Sequence, residues 1–170
     1  IHLVFDTETT GMLVKNAPAT HPNQPHIVQL GMILYSTTGN VLAEHNILVK
    51  CPIPIPPEAT NVHGITNEMC EKFGVSLETA LKLFLHYNAL AELLVAHNFN
   101  YDLTVIEAAK ARAGLRENLQ SAIHCTMLAN VERCKLPSKW GRDYKWPTLQ
   151  ELHTHLFKEP FSGAHDAMAD

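Results

Sequence analysis

Three β-rich runs fill the first fifty residues, and the chain then turns helical. Ile1-His2-Leu3-Val4-Phe5 opens as an apolar run. His26 to Thr37 is rich in Ile, Val, Leu and Tyr, and Val41 to Lys50 follows it across a Gly39-Asn40 turn. These predict strand one over residues 1–6 and a hairpin of strands two and three. The polar, proline-bearing stretch from Val14 to Pro25 reads as a loop. Cys51 to Pro57 carries four prolines and cannot continue a central strand.

Beyond that point the apolar period changes. Pro56 and Pro57 introduce a short helix ending near His63-Gly64, and Thr66 or Asn67 caps a second one running through Phe73. Ser76 caps a longer helix to Glu92, with apolar residues at 77, 80, 81, 84, 85, 87 and 90. Leu93 to Ala96 is a short buried strand, Tyr101 to Ala113 a helix closed by Gly114, and Ile123 to Cys125 a further strand. Helices are expected from Met127 to Cys134, from Thr148 to Phe157, and from Gly163 onward. A three-strand meander followed by helices and short strands gives an α/β domain with a mixed sheet. All 170 residues are expected to form one domain with a substantial core.

Composition narrows the function class. Hydrophobic residues make up 46% and charged residues 18%, ordinary for a globular domain, and no apolar run approaches the ~20 residues that span a bilayer. Four widely spaced cysteines (51, 70, 125 and 134) form no C-x-x-C pair and read as reduced thiols, which points to a cytoplasmic location. A net charge of −4 looks wrong for a nucleic-acid binder. It ceases to be an objection if four carboxylates belong to a metal site, because two divalent ions would restore neutrality.

Asp6-Thr7-Glu8 makes that idea concrete. Side chains alternate along a strand, so Asp6 and Glu8 point the same way. Like charges side by side are costly without a cation between them. A second polar group, His97-Asn98-Phe99-Asn100-Tyr101-Asp102, stands where the Leu93–Ala96 strand gives way to a helix. That is the usual site of α/β chemistry, although Asp102 alone reads more readily as a helix cap. The third group is His165-Asp166-Ala167-Met168-Ala169-Asp170. A five-residue helical step rotates by ~140°, so His165 and Asp170 share a site only if His165 lies on a loop or first turn. Asp166 is expected to face solvent.

In order and internal spacing, these groups resemble the three motifs of the DEDDh (DnaQ-like) 3′–5′ exonuclease family. Phe5-Asp6-Thr7-Glu8-Thr9-Thr10-Gly11 looks like the first, His97-Asn98 through Asp102 the second, and His165-x-Ala167-x-x-Asp170 the third. His63-Gly64-Ile65-Thr66 resembles a segment between the first two, and Trp146-Pro147 through Leu156-Phe157 the run before the third. The resemblance covers essentially the whole chain. It implies a ribonuclease H-like fold, a mixed sheet flanked by helices. The implied activity is two-metal phosphodiester hydrolysis at the 3′ end of single-stranded or frayed DNA.

By the same resemblance, Asp6, Glu8, Asp102 and Asp170 hold two Mg²⁺ or Mn²⁺ ions, and His165 takes the proton from the attacking water. Substrate contacts are implied for Thr9, Thr10 and Gly11, for His63 and Ile65, and for Asn98 and Phe99. A turn, a cap or core packing accounts for each of these positions as well. Arg133, Lys135, Lys139, Arg142 and Lys145 surround Trp140, Tyr144 and Trp146, a mixture suited to single-stranded nucleic acid. A solvated loop with Trp146 anchored in the core fits equally. The rival activities are an exoribonuclease of the ribonuclease T or oligoribonuclease kind and a proofreading subunit acting mainly by docking to a DNA polymerase; a membrane partner is not expected. The sequence stops inside its third motif and does not begin with Met, so the natural chain is expected to extend further.

Overall fold

A computed structural model describes residues 1–139, 141, 143–161 and 164–169. Five strands form one sheet in the order β3-β2-β1-β4-β5. They are β1 (His2–Thr9), β2 (Ile27–Tyr35), β3 (Val41–Leu48), β4 (Leu93–Ala96) and β5 (Ala122–Cys125). β1 runs antiparallel to β2 and β2 antiparallel to β3, while β4 lies parallel to both β1 and β5. The sheet is therefore mixed, with β1 at its centre.

The helices are α1 (Pro57–His63), α2 (Asn67–Phe73), α3 (Leu77–Leu90), α4 (Phe99–Ala113), α5 (Thr126–Ala129), α6 (Val131–Cys134) and α7 (Leu149–Phe157). Thr66, Ser76 and Thr148 accept from the backbone at Met69, Thr79 and Glu151, and Glu151 completes a capping box at the start of α7. The helix expected from Met127 to Cys134 divides at Asn130 into α5 and α6. Among the described residues, no helix is long and apolar enough to cross a membrane.

β1 shows how the sheet divides its two faces. Leu3, Phe5, Thr7 and Thr9 are buried, while His2, Val4, Asp6 and Glu8 alternate with them at intermediate burial. The odd positions meet Leu30, Met32 and Leu34 of β2 and Leu94 of β4 in a core roofed by α3 and α4. Phe5 packs edge-on against Phe84 of α3 and Phe99 of α4, with ring centroids 5.0 and 5.7 Å away. Asp6 and Glu8 thus stand on the opposite face, as the alternation requires. The strand runs on to Thr9 rather than ending at Asp6, so both acids lie within the regular ladder.

The C-terminal stretch departs from expectation. Residues 164–169 form turns, not a helix, while Gly163 and Asp170 lie outside the described residues. His165 adopts a left-handed backbone, φ 69°, which a helix cannot propagate through. The amides that a helix would use internally bond elsewhere: Ala167 donates to Gln29 Oε1 and Met168 to Asp166 Oδ1.

Candidate active site

A cavity of about 570 Å³ opens where β1, the β4–α4 turn, α1 and the 164–169 segment meet. Asp6, Glu8, Thr9, Thr10, Gly11, His63, Asn98, Asp102 and His165 all line it. Nine of the residues singled out in the sequence, from four separate segments, therefore surround one space. Ile65 and Phe99 do not. Ile65 is 3% exposed in a small apolar cluster with Val28, Ile55 and Cys70. Phe99 is 2% exposed in the main core. Neither of these two side chains lines the cavity that the other nine residues share. Asp170 lies outside the described residues.

Asp102 is not a helix cap. Its Oδ1 accepts from Thr7 N at 3.0 Å and Thr7 Oγ1 at 2.7 Å, fastening the first turn of α4 to the middle of β1. The strand residue between the two acids is thus the clamp that brings the second motif to the first. Burial raises the Asp102 carboxyl well above its ordinary range, and the charge of Asp6 adds to the effect; the Thr7 bonds oppose it. A carboxyl raised this way favours folding below its unfolded value near 3.8, and that contribution is lost as pH rises through the folded value. Without divalent cations, Asp102→Asn should therefore match the parent in acid and melt at a higher temperature near neutral pH. Melting curves in chelator across that range check it, and a variant less stable at neutral pH would refute it.

Asn98 enters α4 from a left-handed conformation, φ 58°, which Asn tolerates, and its side chain makes no capping bond. His97 lines the cavity and also braces its wall. Its Nε2 donates to Pro147 O at 3.1 Å and its Nδ1 lies 3.0 Å from Thr126 Oγ1, tying β4 to α5 and to the approach of α7.

The Thr9–Gly11 turn is held by a residue the sequence reading passed over. Tyr101 places its hydroxyl 2.6 Å from Thr9 Oγ1 and donates to Gly11 O at 2.8 Å. Tyr101 stands one residue before Asp102, so one turn of α4 fixes both the acid and the loop opposite it. Burial raises the Tyr101 hydroxyl, keeping it protonated as a donor.

His63 is fixed in one tautomer. Nδ1 accepts from Ile65 N at 3.0 Å, so Nε2 carries the hydrogen and donates to Thr9 O at 3.2 Å. Burial lowers its pKa, the Thr9 carbonyl resists, and the nearby charge of His165 lowers it further. The wall beyond His63 is apolar apart from one exposed acid, Glu58. Met12, 82% exposed, and Val62, 54% exposed, face the cavity with Pro56 and Ala59. Neither Met12 nor Val62 figured in the sequence reading; their only signal was proximity to Gly11 and His63.

The carboxylates suit a hard divalent cation in kind, since each offers oxygen ligands and the Asp6–Asp102 repulsion would be relieved by positive charge. Among the described residues, no group of three or more His, Cys, Asp or Glu side chains is close enough to share an ion. The basic loop departs from one of the two readings of it. Trp146 is 64% exposed rather than core-anchored, and Lys145 is paired with Glu151. Trp140 and Arg142 lie outside the described residues.

With that geometry in place, the comparisons with known proteins are decisive about ancestry. The Exonuclease family model (RNase_T) matches residues 3–170. The chain belongs to this exonuclease family. The domain is accordingly a nuclease hydrolase of the DnaQ-like kind. It is 33% identical to the DNA polymerase III subunit epsilon of Pasteurella multocida over 81% of this chain and 52% of that protein. It is 29% identical to the uncharacterized exonuclease CP81 of Escherichia phage 186 over 99% of this chain and 81% of that one. Among solved structures, it superposes on E. coli exonuclease I, determined as a single-stranded DNA complex, with a TM-score of 0.76. That match covers 99% of the exonuclease domain and 37% of exonuclease I at 18% identity, a likeness of fold. The domain thus spans about half the length of the polymerase subunit it matches.

Proposed function

We propose that this exonuclease domain hydrolyses the terminal phosphodiester at the 3′ end of single-stranded or frayed DNA, one nucleoside 5′-monophosphate at a time. The observation that carries the reading is the convergence of Asp6, Glu8, Asp102 and His165 on one cavity whose far wall offers apolar Met12 and Val62, with Glu58 beside them. A nucleotide has this same polarity, with an anionic phosphate at one end and a flat apolar base at the other. Divalent cations, Mg²⁺ or Mn²⁺, held by Asp6, Glu8 and Asp102 with Asp170 would neutralise the phosphate and activate water. His165, at the cavity rim, accepts the proton of the water whose oxygen bonds to phosphorus. The bond from phosphorus to the 3′ oxygen of the preceding nucleotide breaks, and that oxygen takes a proton from solvent water. His63, held neutral, orients the Thr9 carbonyl, and the Thr9–Gly11 turn seats the terminal sugar.

Kinship with DNA polymerase III epsilon subunits favours DNA over RNA and action beside a DNA polymerase. The test uses 5′-labelled single strands of DNA and RNA with Mg²⁺ or Mn²⁺. The expected result is a stepwise ladder from the 3′ end, faster on DNA and abolished by EDTA. Intact substrate under every metal condition would overturn the proposal, and faster loss of RNA would reassign the domain to ribonuclease trimming.

A further inference from the structure

The 164–169 segment is docked by side chains that no motif contains. Gln29 of β2, 6% exposed, is the register partner of Glu8 across the antiparallel ladder. Its Oε1 accepts from Ala167 N at 3.1 Å, while its Nε2 donates to Asn46 Oδ1 at 2.8 Å and reaches Asp166 Oδ1 at 3.4 Å. Asn46 Nδ2 reaches the same Asp166 oxygen at 3.4 Å. Asp166 is exposed, as expected, yet its carboxylate is the segment's grip on the sheet.

Two residues along β2, Gly31 is the register partner of Asp6. A methyl group there would lie 2.1 Å from Ala167 O and 2.4 Å from its carbonyl carbon, both backbone atoms. The main chain of Ala167 therefore rests directly on the strand beside Asp6. Only glycine allows that approach. The clasp and the gap both act on residues immediately following His165.

We propose that Gln29, Asn46 and Gly31 are positioning residues for His165, setting its place over the acids of β1. The inference rests on the hydrolytic reading above. The left-handed backbone at His165 cannot be held by helical hydrogen bonds, and the two residues that follow it are fastened to the sheet. Gln29 anchors the Ala167 amide and the Asp166 carboxylate, and Gly31 sets how closely the segment approaches the sheet.

The test is steady-state hydrolysis of a single-stranded DNA oligonucleotide, with kcat and KM separated. Gly31→Ala should lower kcat by about 10²-fold, the scale expected from displacing a reacting group by an ångström. Gln29→Leu should lower kcat by about tenfold, the equivalent of one net hydrogen bond, and leave KM within about twofold. In a His165→Ala background, Gln29→Leu should cost nothing further, because residues acting through one another are non-additive. Gln29→Glu should be impaired by repulsion from Asp166 and rescued by adding Asp166→Asn, which restores a donor facing the new carboxylate. Should Gly31→Ala not fold, the Gln29 variants decide alone. Unchanged kcat in Gln29→Leu, or the same tenfold loss with and without His165, would overturn the inference while leaving the hydrolytic reading intact. No hydrolysis by the parent protein would overturn both.

Discussion

Asp6→Asn should abolish hydrolysis and raise thermal stability in the same protein. The loss follows from the central place of Asp6, which shares the cavity with Glu8, Asp102 and His165 and whose charge is felt at Asp102. Removing one preorganised electrostatic contact commonly costs at least about 10²-fold in rate. The stability gain follows from the same charge. Buried Asp102 resists ionisation first because of desolvation and then because of Asp6. An uncharged neighbour removes the second cost, so the metal-free variant should melt at a higher temperature near neutral pH. Added Mg²⁺ or Mn²⁺ should then raise that temperature less than it does in the parent, since stabilisation by a ligand follows its affinity. Retained activity, or a variant that melts lower, would remove Asp6 from the metal site.

Phe99→Ala should be the most damaging core substitution at the second motif, lowering stability by about 3–5 kcal/mol. Phe99 is 2% exposed and stacks edge-on against Phe5, one residue before the acid Asp6. Phe99→Leu, which keeps most of the volume, should remain folded with its KM for single-stranded DNA unchanged. Chemical denaturation and oligonucleotide kinetics on the two variants separate packing from recognition. A raised KM in Phe99→Leu without a change in stability would return Phe99 to the substrate side.

Much of the fold was legible because its signals are local. Alternation along β1 put Asp6 and Glu8 on one face before any partner strand was known, and the ladder confirms that face. Ser76, Thr66 and Gly114 marked helix ends by capping chemistry, which acts within one turn of the chain. The errors share an opposite cause. His, Asp and Ala residues from 164 to 169 have the composition of a helical turn, yet the Ala167 amide bonds to Gln29, 138 positions away. Tyr101 was invisible as a loop anchor because Gly11, which accepts its hydrogen, is 90 residues distant.

The sequence by itself determined which acids could meet and in what order, because strand period, caps and motif spacing are properties of short segments. It also sufficed to indicate the family. Tertiary structure alone decided how the groups are held. Thr7 carries the clamp on Asp102, Tyr101 fixes the Thr9–Gly11 turn, and Gly31 leaves room for the Ala167 backbone. Each is a contact between residues ninety or more positions apart, and such contacts come into being only when burial of the shared core has brought their elements within reach.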